Sequence, residues 1–316
     1  MGLGKVLSAA LAIPLLLALP ASAQTPPAAL PFSLKMIGPG LYAAIGDESN
    51  AGFIVGDDAV LVVDSFFEPD TAKALLGEIR RITTKPVRYV VNTHYHVDHV
   101  SGDQVFKDAG AIIIAHRNVR AWIRPENLLQ MKDAPDPAFK ARIMQRIAQL
   151  PLPDLVNESP ITVWLGGRRV DIRPAEGHTG SDLVVGVPDA RVLFCGDLLW
   201  RMPPNIVDGT MSKWIETDRS FELLPQAASM VFVPGHGDVA SVKDVAIFRG
   251  YLTDLMSLTA AGRKAGLKDD ALAADVIPKL KTLHPDYPTP TRVLSREVTF
   301  MEQELDGTKR VPQPVP

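Results

Sequence analysis

Cysteine is nearly missing from this chain. There is one, Cys195, so no internal disulfide can form and the fold must be held by core packing or by a metal. Cys195 sits in the apolar run 192–195 and reads as a small buried hydrophobe rather than a reactive thiol. Blocks of cationic residues are also lacking: the formal charge is −3, and no Lys/Arg-rich stretch interrupts the sequence. That argues against nucleic acid or an anionic membrane surface as partner and leaves a small-molecule substrate. Beyond the first residues no apolar run is long enough to span a bilayer. Tight internal repeats are absent as well, apart from a coarse strand–helix duplication of the two halves.

What is present begins with a leader. Lys5 precedes the apolar run 6–19, and Pro20-Ala-Ser-Ala23 supplies an Ala-x-Ala cleavage site, so residues 1–23 are expected to be a secretory signal peptide cut after Ala23. The run is shorter than the ~20 residues of a spanning helix, and Pro14 interrupts it. An exported protein, periplasmic or secreted, is therefore expected. Residues 24–33, with Pro26, Pro27 and Pro31, read as a flexible lead-in. The hydrophobic content of 46% is ample for a core in what remains.

From residue 34 to 63, short β-rich runs (41–45, 52–55, 59–63) separated by Gly-Asp and Asp-Asp turns have the rhythm of an antiparallel meander. Helical spacing over 71–82 is followed by a β-branched strand, 87–91. Helices are expected over 102–109 and 116–123, flanking a strand at 111–115. The stretch 125–160 is bracketed by prolines around a helix at 139–150 and reads as an insertion over the site, in a position to act as a lid. A second set of strands follows at 161–165, 170–174, 183–187 and 192–195. Helical periodicity returns at 242–265, 270–280 and 290–305, and a disordered tail is expected over 307–316.

The chemistry concentrates at the end of the strand 87–91. Residues 90–102 read Val-Val-Asn-Thr-His94-Tyr-His96-Val-Asp98-His99-Val-Ser-Gly, three imidazoles and a carboxylate in six residues. A tight turn after a strand can aim His94 and His96 one way and Asp98 and His99 another, which suits two neighbouring cations; imidazole nitrogen and carboxylate oxygen are zinc ligands. Further ligand types occur where apolar strands end: His178 in a glycine-flanked loop, Asp197 after 192–196, and His236 in Val-Pro-Gly-His-Gly. Asp64 closes the apolar run 61–63 and is read as a support for the metal loop. Tyr95, Trp200, Met202, Met211 and Trp214 are candidates to line a substrate pocket. His116 and His284 are read as structural.

With these seven ligand-type residues in view, the sequence resembles the metallo-beta-lactamase superfamily of hydrolases over about 34–245. The resemblance implies an α/β (α+β) fold, a four-layer αββα sandwich of two mixed sheets flanked by helices with the metal site at one edge. It divides the chain into the domain 34–245 and a C-terminal helical extension, 246–306. It implies one zinc on His94, His96 and His178, a second on Asp98, His99 and His236, and Asp197 as a bridge, with iron or manganese as alternative metals. Asp64 matches the superfamily's structural Asp beneath the metal loop. A bridging Asp, in place of the Cys or Ser near the second metal of zinc beta-lactamases, is similar to glyoxalase II-like thioesterases and lactonases. Cys195 shares the strand parity of Asp197, which makes a substitute thiolate ligand conceivable.

The expected function is that of a dinuclear zinc hydrolase in which a metal-bridging hydroxide attacks an ester, thioester, lactone or lactam, with Asp98 orienting the nucleophile and shuttling its proton. Tyr95 is a possible helper of the oxyanion. The rival readings are a phosphodiesterase or nuclease using the same ligands, and a di-metal redox or binding protein.

Overall fold

A computed structural model of the chain describes residues 1–2, 29–285, 287 and 290–313. The expected signal peptide and most of the lead-in fall on residues 3–28, outside the described residues. The chain divides into two units, Met1–Leu30 and Pro31–Pro316, and the elements below all belong to the second.

The meander is present: β1 (Phe32–Gly38), β2 (Leu41–Gly46), β3 (Asn50–Val55) and β4 (Val60–Val63) pair antiparallel in sequence order. Helix α1 (Pro69–Ile82) then crosses over to β5 (Val87–Val91), parallel to β4. The short helices α2 (Val97–Val100) and α3 (Asp103–Asp108) lead to β6 (Ile112–His116). Next come α4 (Val119–Trp122), α5 (Pro125–Gln130), α6 (Pro137–Gln149) and β7 (Leu155–Asn157), which completes a seven-stranded sheet in sequence order. The second sheet has five strands: β8 (Ile161–Leu165), β9 (Arg168–Ala175), β10 (Asp182–Val187), β11 (Val192–Trp200) and β12 (Val231–His236), with β11 and β12 parallel across α7 (Met211–Glu222). The chain then forms α8 (Val242–Lys264), α9 (Asp269–Leu283) and α10 (Thr291–Leu305).

Side-chain alternation sorts these strands into layers. Along β4, Leu61 and Val63 face the second sheet, while Val60 and Val62 face α1 and α3 on the outside. On β11, Val192 and Phe194 point between the sheets, and Leu193 and Cys195 point outward toward α7 and α8. The central strands of both sheets are thus buried on both faces, each fully buried aliphatic contributing on the order of 1.5–3 kcal/mol. The result is the expected αββα sandwich.

Several boundaries moved, each for a local reason. Strand β1 starts at Phe32, inside the expected lead-in, because Phe32 is buried against Phe66. The helix expected over 116–123 begins only at Val119, and His116 closes β6 instead. Asp197 does not end its strand: β11 runs on to Trp200, and Gly196 at φ +52° shifts the pairing with β12 there. This break cancels the parity between Cys195 and Asp197. The Cys195 thiol faces the helical layer, where burial pushes its pKa up, and so it is not a substitute ligand. The expected disordered tail is corrected over 307–313, where residues 309, 310 and 313 hydrogen-bond to other parts of the chain; 314–316 lie outside the described residues. No helix among the described residues is long and apolar enough to cross a membrane.

Candidate metal centre

The ligand-type residues converge where one end of each sheet meets the other. His94, His96, Asp98 and His99 lie in the turn after β5 and in α2, His178 between β9 and β10, Asp197 within β11, and His236 at the end of β12. They fall into two groups, His94–His96–His178–Asp197 and Asp98–His99–His236, and within each the ligand atoms lie within 4.8 Å of one another. Asp197 faces both groups. Its Oδ2 is 3.2 Å from Nε2 of His178 and 3.7 Å from that of His94, while its Oδ1 is 3.1 Å from Nε2 of His99 and 3.4 Å from that of His236.

The residues present suit cations. Nε2 of His94 and Oδ1 of Asp197 are buried without a hydrogen-bond partner among the described residues, a cost of about 1–3 kcal/mol each unless something electropositive meets them. Nδ1 of His96 lies 2.9 Å from Nε2 of His178, and Nε2 of His99 lies 3.3 Å from Nε2 of His236. Two imidazole lone pairs that close require a proton or a cation between them. Burial holds His178 down to about 3 and His94 well below the usual imidazole value, leaving both neutral and able to donate their lone pairs. Burial also disfavours charge on His236, but Asp197 and Asp98 outweigh it and raise the group to about 9. Gly235 packs so closely that a Cβ there would overlap Oδ1 of Asp197, so the carboxylate approaches bare backbone.

Outer groups fix the rings. Asp64, buried and in a left-handed conformation at φ 58°, accepts from the Thr93 N–H at 2.7 Å and the Thr93 hydroxyl at 2.8 Å, and meets Nδ1 of His99 at 2.9 Å. Thr93 Oγ1 in turn lies 3.0 Å from Nδ1 of His94. A non-glycine residue at positive φ at the foot of the metal loop is strain retained for position. Asp64 therefore lies beneath the turn 93–99, in contact with Thr93 and His99.

A second carboxylate does the same for His96. Oδ2 of Asp208, in the loop between β11 and α7, lies 2.9 Å from Nε2 of His96 and also accepts from the Tyr95 hydroxyl. Burial would raise Asp208, but His96 outweighs it and holds the carboxyl at about 2. From α5, Gln130 donates to the same oxygen at 2.5 Å, and Asn127 bridges the Val97 N–H and the Tyr95 carbonyl at 3.0 and 2.7 Å. Asp208, Gln130 and Asn127 are not among the site residues that the sequence alone points to. In the sequence Asp208 is one half of an Asp-Gly turn, and nothing near it signals a partner in the distant motif.

The expected pocket residues are placed differently. Tyr95 is fully buried with its hydroxyl on Asp208, and Trp214 is buried edge-on to His178 with its N–H on the Leu198 carbonyl. Both are packing beneath the ligands rather than pocket wall, and Tyr95 is not aimed at an oxyanion. Trp200 is also buried, stacked on His236 at 3.9 Å. The insertion 125–160 packs against the motif loop through α5 and α6.

Two mixed sheets between helical layers, with a buried His/Asp cluster at one edge, define a class of metal-dependent hydrolases. The family model of the metallo-beta-lactamase superfamily matches residues 44–236, and the chain belongs to that superfamily. Among curated relatives, the Metallo-beta-lactamase type 2 of Bacillus cereus is 25% identical over 206 residues, covering 63% of this chain and 71% of the relative. The 2,4-dinitroanisole O-demethylase subunit alpha of Nocardioides sp. (strain JS1661) is 25% identical over 190 residues, 58% of this chain and 51% of the relative. Among solved structures, a metallo-beta-lactamase from Pontibacter korlensis superposes with a TM-score of 0.57 at 19% identity, covering 70% of this chain and 99% of the other. A stereoselective inverting sec-alkylsulfatase from Pseudomonas sp. gives 0.66 at 16% identity, with 90% and 52% covered. At such identities these two likenesses speak for the fold alone.

Proposed function

We propose that the chain is an exported dinuclear zinc hydrolase that cleaves an acyl bond, in an ester, thioester, lactone or lactam, of a small molecule. The observation that carries this reading is the Asp197 carboxylate, which offers one oxygen to each ligand group. In this reading His94, His96 and His178 hold one ion, Asp98, His99 and His236 the other, and Asp197 joins them. Bound divalent cations supply a water of lowered pKa and polarise the carbonyl to be attacked.

The chain's own residues do the rest. Asp98 is the open member of the set, its side chain 28% exposed where His99 is fully covered, so it is the carboxylate that an incoming water meets. It orients that water and carries its proton to the leaving group. The Ser49 hydroxyl donates to the Asp98 carbonyl at 2.5 Å and holds that residue at the mouth. Trp200, Trp214 and Tyr95 keep bulk water from the inner ligands.

The formal charge of −3 and the absence of a Lys/Arg-rich block disfavour a polyanion, which counts against the phosphodiesterase or nuclease reading. Zinc-loaded protein assayed on thioesters, lactones, beta-lactams and phosphodiesters tests the proposal. Turnover of an acyl substrate that a chelator abolishes, and that His96→Ala abolishes in a folded chain, is the expected result; activity surviving either treatment, or confined to phosphodiesters, would refute it. Export rests on the leader, and the N-terminus of the mature protein should be Gln24.

A further inference from the structure

After α10, Gly307 at φ +67° turns the chain back, and Thr308 and Lys309 both donate backbone N–H groups to the Gln303 carbonyl. The Lys309 side chain is nearly buried. Its ammonium donates to the Gly209 carbonyl at 2.7 Å and pairs with Glu304 at 3.2 Å, while the other Glu304 oxygen accepts the Met211 N–H at 2.7 Å. Lys309 and Glu304 thus grip the loop directly after Asp208. Two residues make the opposite attachment: Arg310 forms a two-pronged ion pair with Glu126 at 2.8 and 2.9 Å, and the Trp122 indole N–H donates to the Gln313 carbonyl at 3.0 Å. Glu126 lies on α5, the helix that carries Asn127 and Gln130. The segment therefore ties together the two elements whose side chains, Asp208 and Gln130, meet at Nε2 of His96. It also walls a cleft of about 500 Å³ into which Asp208 faces, together with Trp122, Val311 and Pro312.

We propose that residues 309–313 form a clasp that positions the His96 imidazole for its cation, through Asp208 on one side and Gln130 on the other, with Lys309 as the principal positioning residue. The proposal rests on the metal-centre reading above. A seven-residue return with one nearly buried ammonium is a specific attachment, since burying a lysine head is unfavourable unless it is paired. Removing it would loosen α5 against the 208–210 loop, and with it the Gln130–Asp208 contact that stands behind Nε2 of His96. Outer-shell partners of this kind are worth about 10- to 100-fold in metal affinity.

The test is zinc affinity, measured by competition with a chromophoric chelator in two backgrounds: His236→Ala, which leaves the group containing His96 intact, and His178→Ala, which leaves the group Asp98, His99 and His236 intact. Ending the chain after Thr308, or Lys309→Ala, should weaken zinc binding about 10- to 100-fold in the first background and leave it unchanged in the second. Lys309→Arg should restore it. Should the shortened chain fail to fold by circular dichroism, Lys309→Ala and Trp122→Phe carry the same comparison. Equal losses in both backgrounds, or no loss in either, would overturn the clasp. Tight zinc binding without turnover of any acyl substrate would instead refute the hydrolase reading and leave the clasp standing.

Discussion

Asp208 lies 2.9 Å from Nε2 of His96, 112 residues before it in the chain. The contact fixes which ring nitrogen of His96 carries the proton and so frees Nδ1, the atom that faces His178, to bind a cation. Asp208→Ala is expected to reduce zinc affinity about 10- to 100-fold, and Asp208→Asn, which keeps an acceptor, by less. Metal retained per chain after dialysis against a zinc-buffered chelator measures this.

Gly235→Ala should damage the centre without replacing any of the proposed ligands. The added methyl would overlap Oδ1 of Asp197 and would also crowd backbone atoms of 196 and 197, which cannot swing away. Displacing the shared carboxylate by about 1 Å should lower turnover on the order of 100-fold. Steady-state kinetics beside a metal titration would show both effects; wild-type values for each would contradict the placement of Asp197.

Asp64→Ala removes the acceptor for two groups of Thr93 and one nitrogen of His99, all buried, and puts alanine at a positive φ. A loss of about 2–5 kcal/mol is expected. It should appear as a lower urea midpoint at constant slope.

The helical layer carries a pH dependence of its own. Glu297 on α10 is 2% exposed; burial raises it to about 8, although the Tyr251 hydroxyl on α8 donates to it and Arg296 also opposes the shift. An acid whose folded pKa is raised holds its proton more tightly folded than unfolded. Its contribution is therefore complete below about 4.5 and declines as pH rises toward 8, by a few kcal/mol in all. Buried Asp218 on α7, also raised well above its ordinary value, adds to the same sign. Urea unfolding from pH 5 to 8 should show falling stability, and Glu297→Gln should flatten the slope.

Much of the centre was legible because its ligands cluster at strand ends. A carboxylate or imidazole closing a run such as 61–63 or 231–233 stands out against apolar neighbours, and four ligand types within 94–99 cannot all serve packing. The strands themselves were legible as short apolar runs, whereas the layering came from the family resemblance, because runs such as Val60–Val63 are apolar on both faces and carry no period of two. The residues that the sequence does not mark depend on approach between remote segments. Asp208 stands in an Asp-Gly pair far from the motif, Gln130 in the proline-bracketed stretch 125–160 and Lys309 in the tail expected to be disordered, and none carries a local mark of its partner. The strand parity rule failed at 195–197 because a single residue, Gly196, takes a left-handed conformation that an alternating pattern does not encode.

Trp200 lies flat against His236, their planes 15° apart, while its indole N–H donates to the Asp197 carbonyl at 2.8 Å. A fluorophore thus touches residues from both halves of the proposed cation pair. The protein carries a built-in gauge of occupancy: titration with a paramagnetic ion such as cobalt should dim the emission of this ring in step with filling, with no label attached.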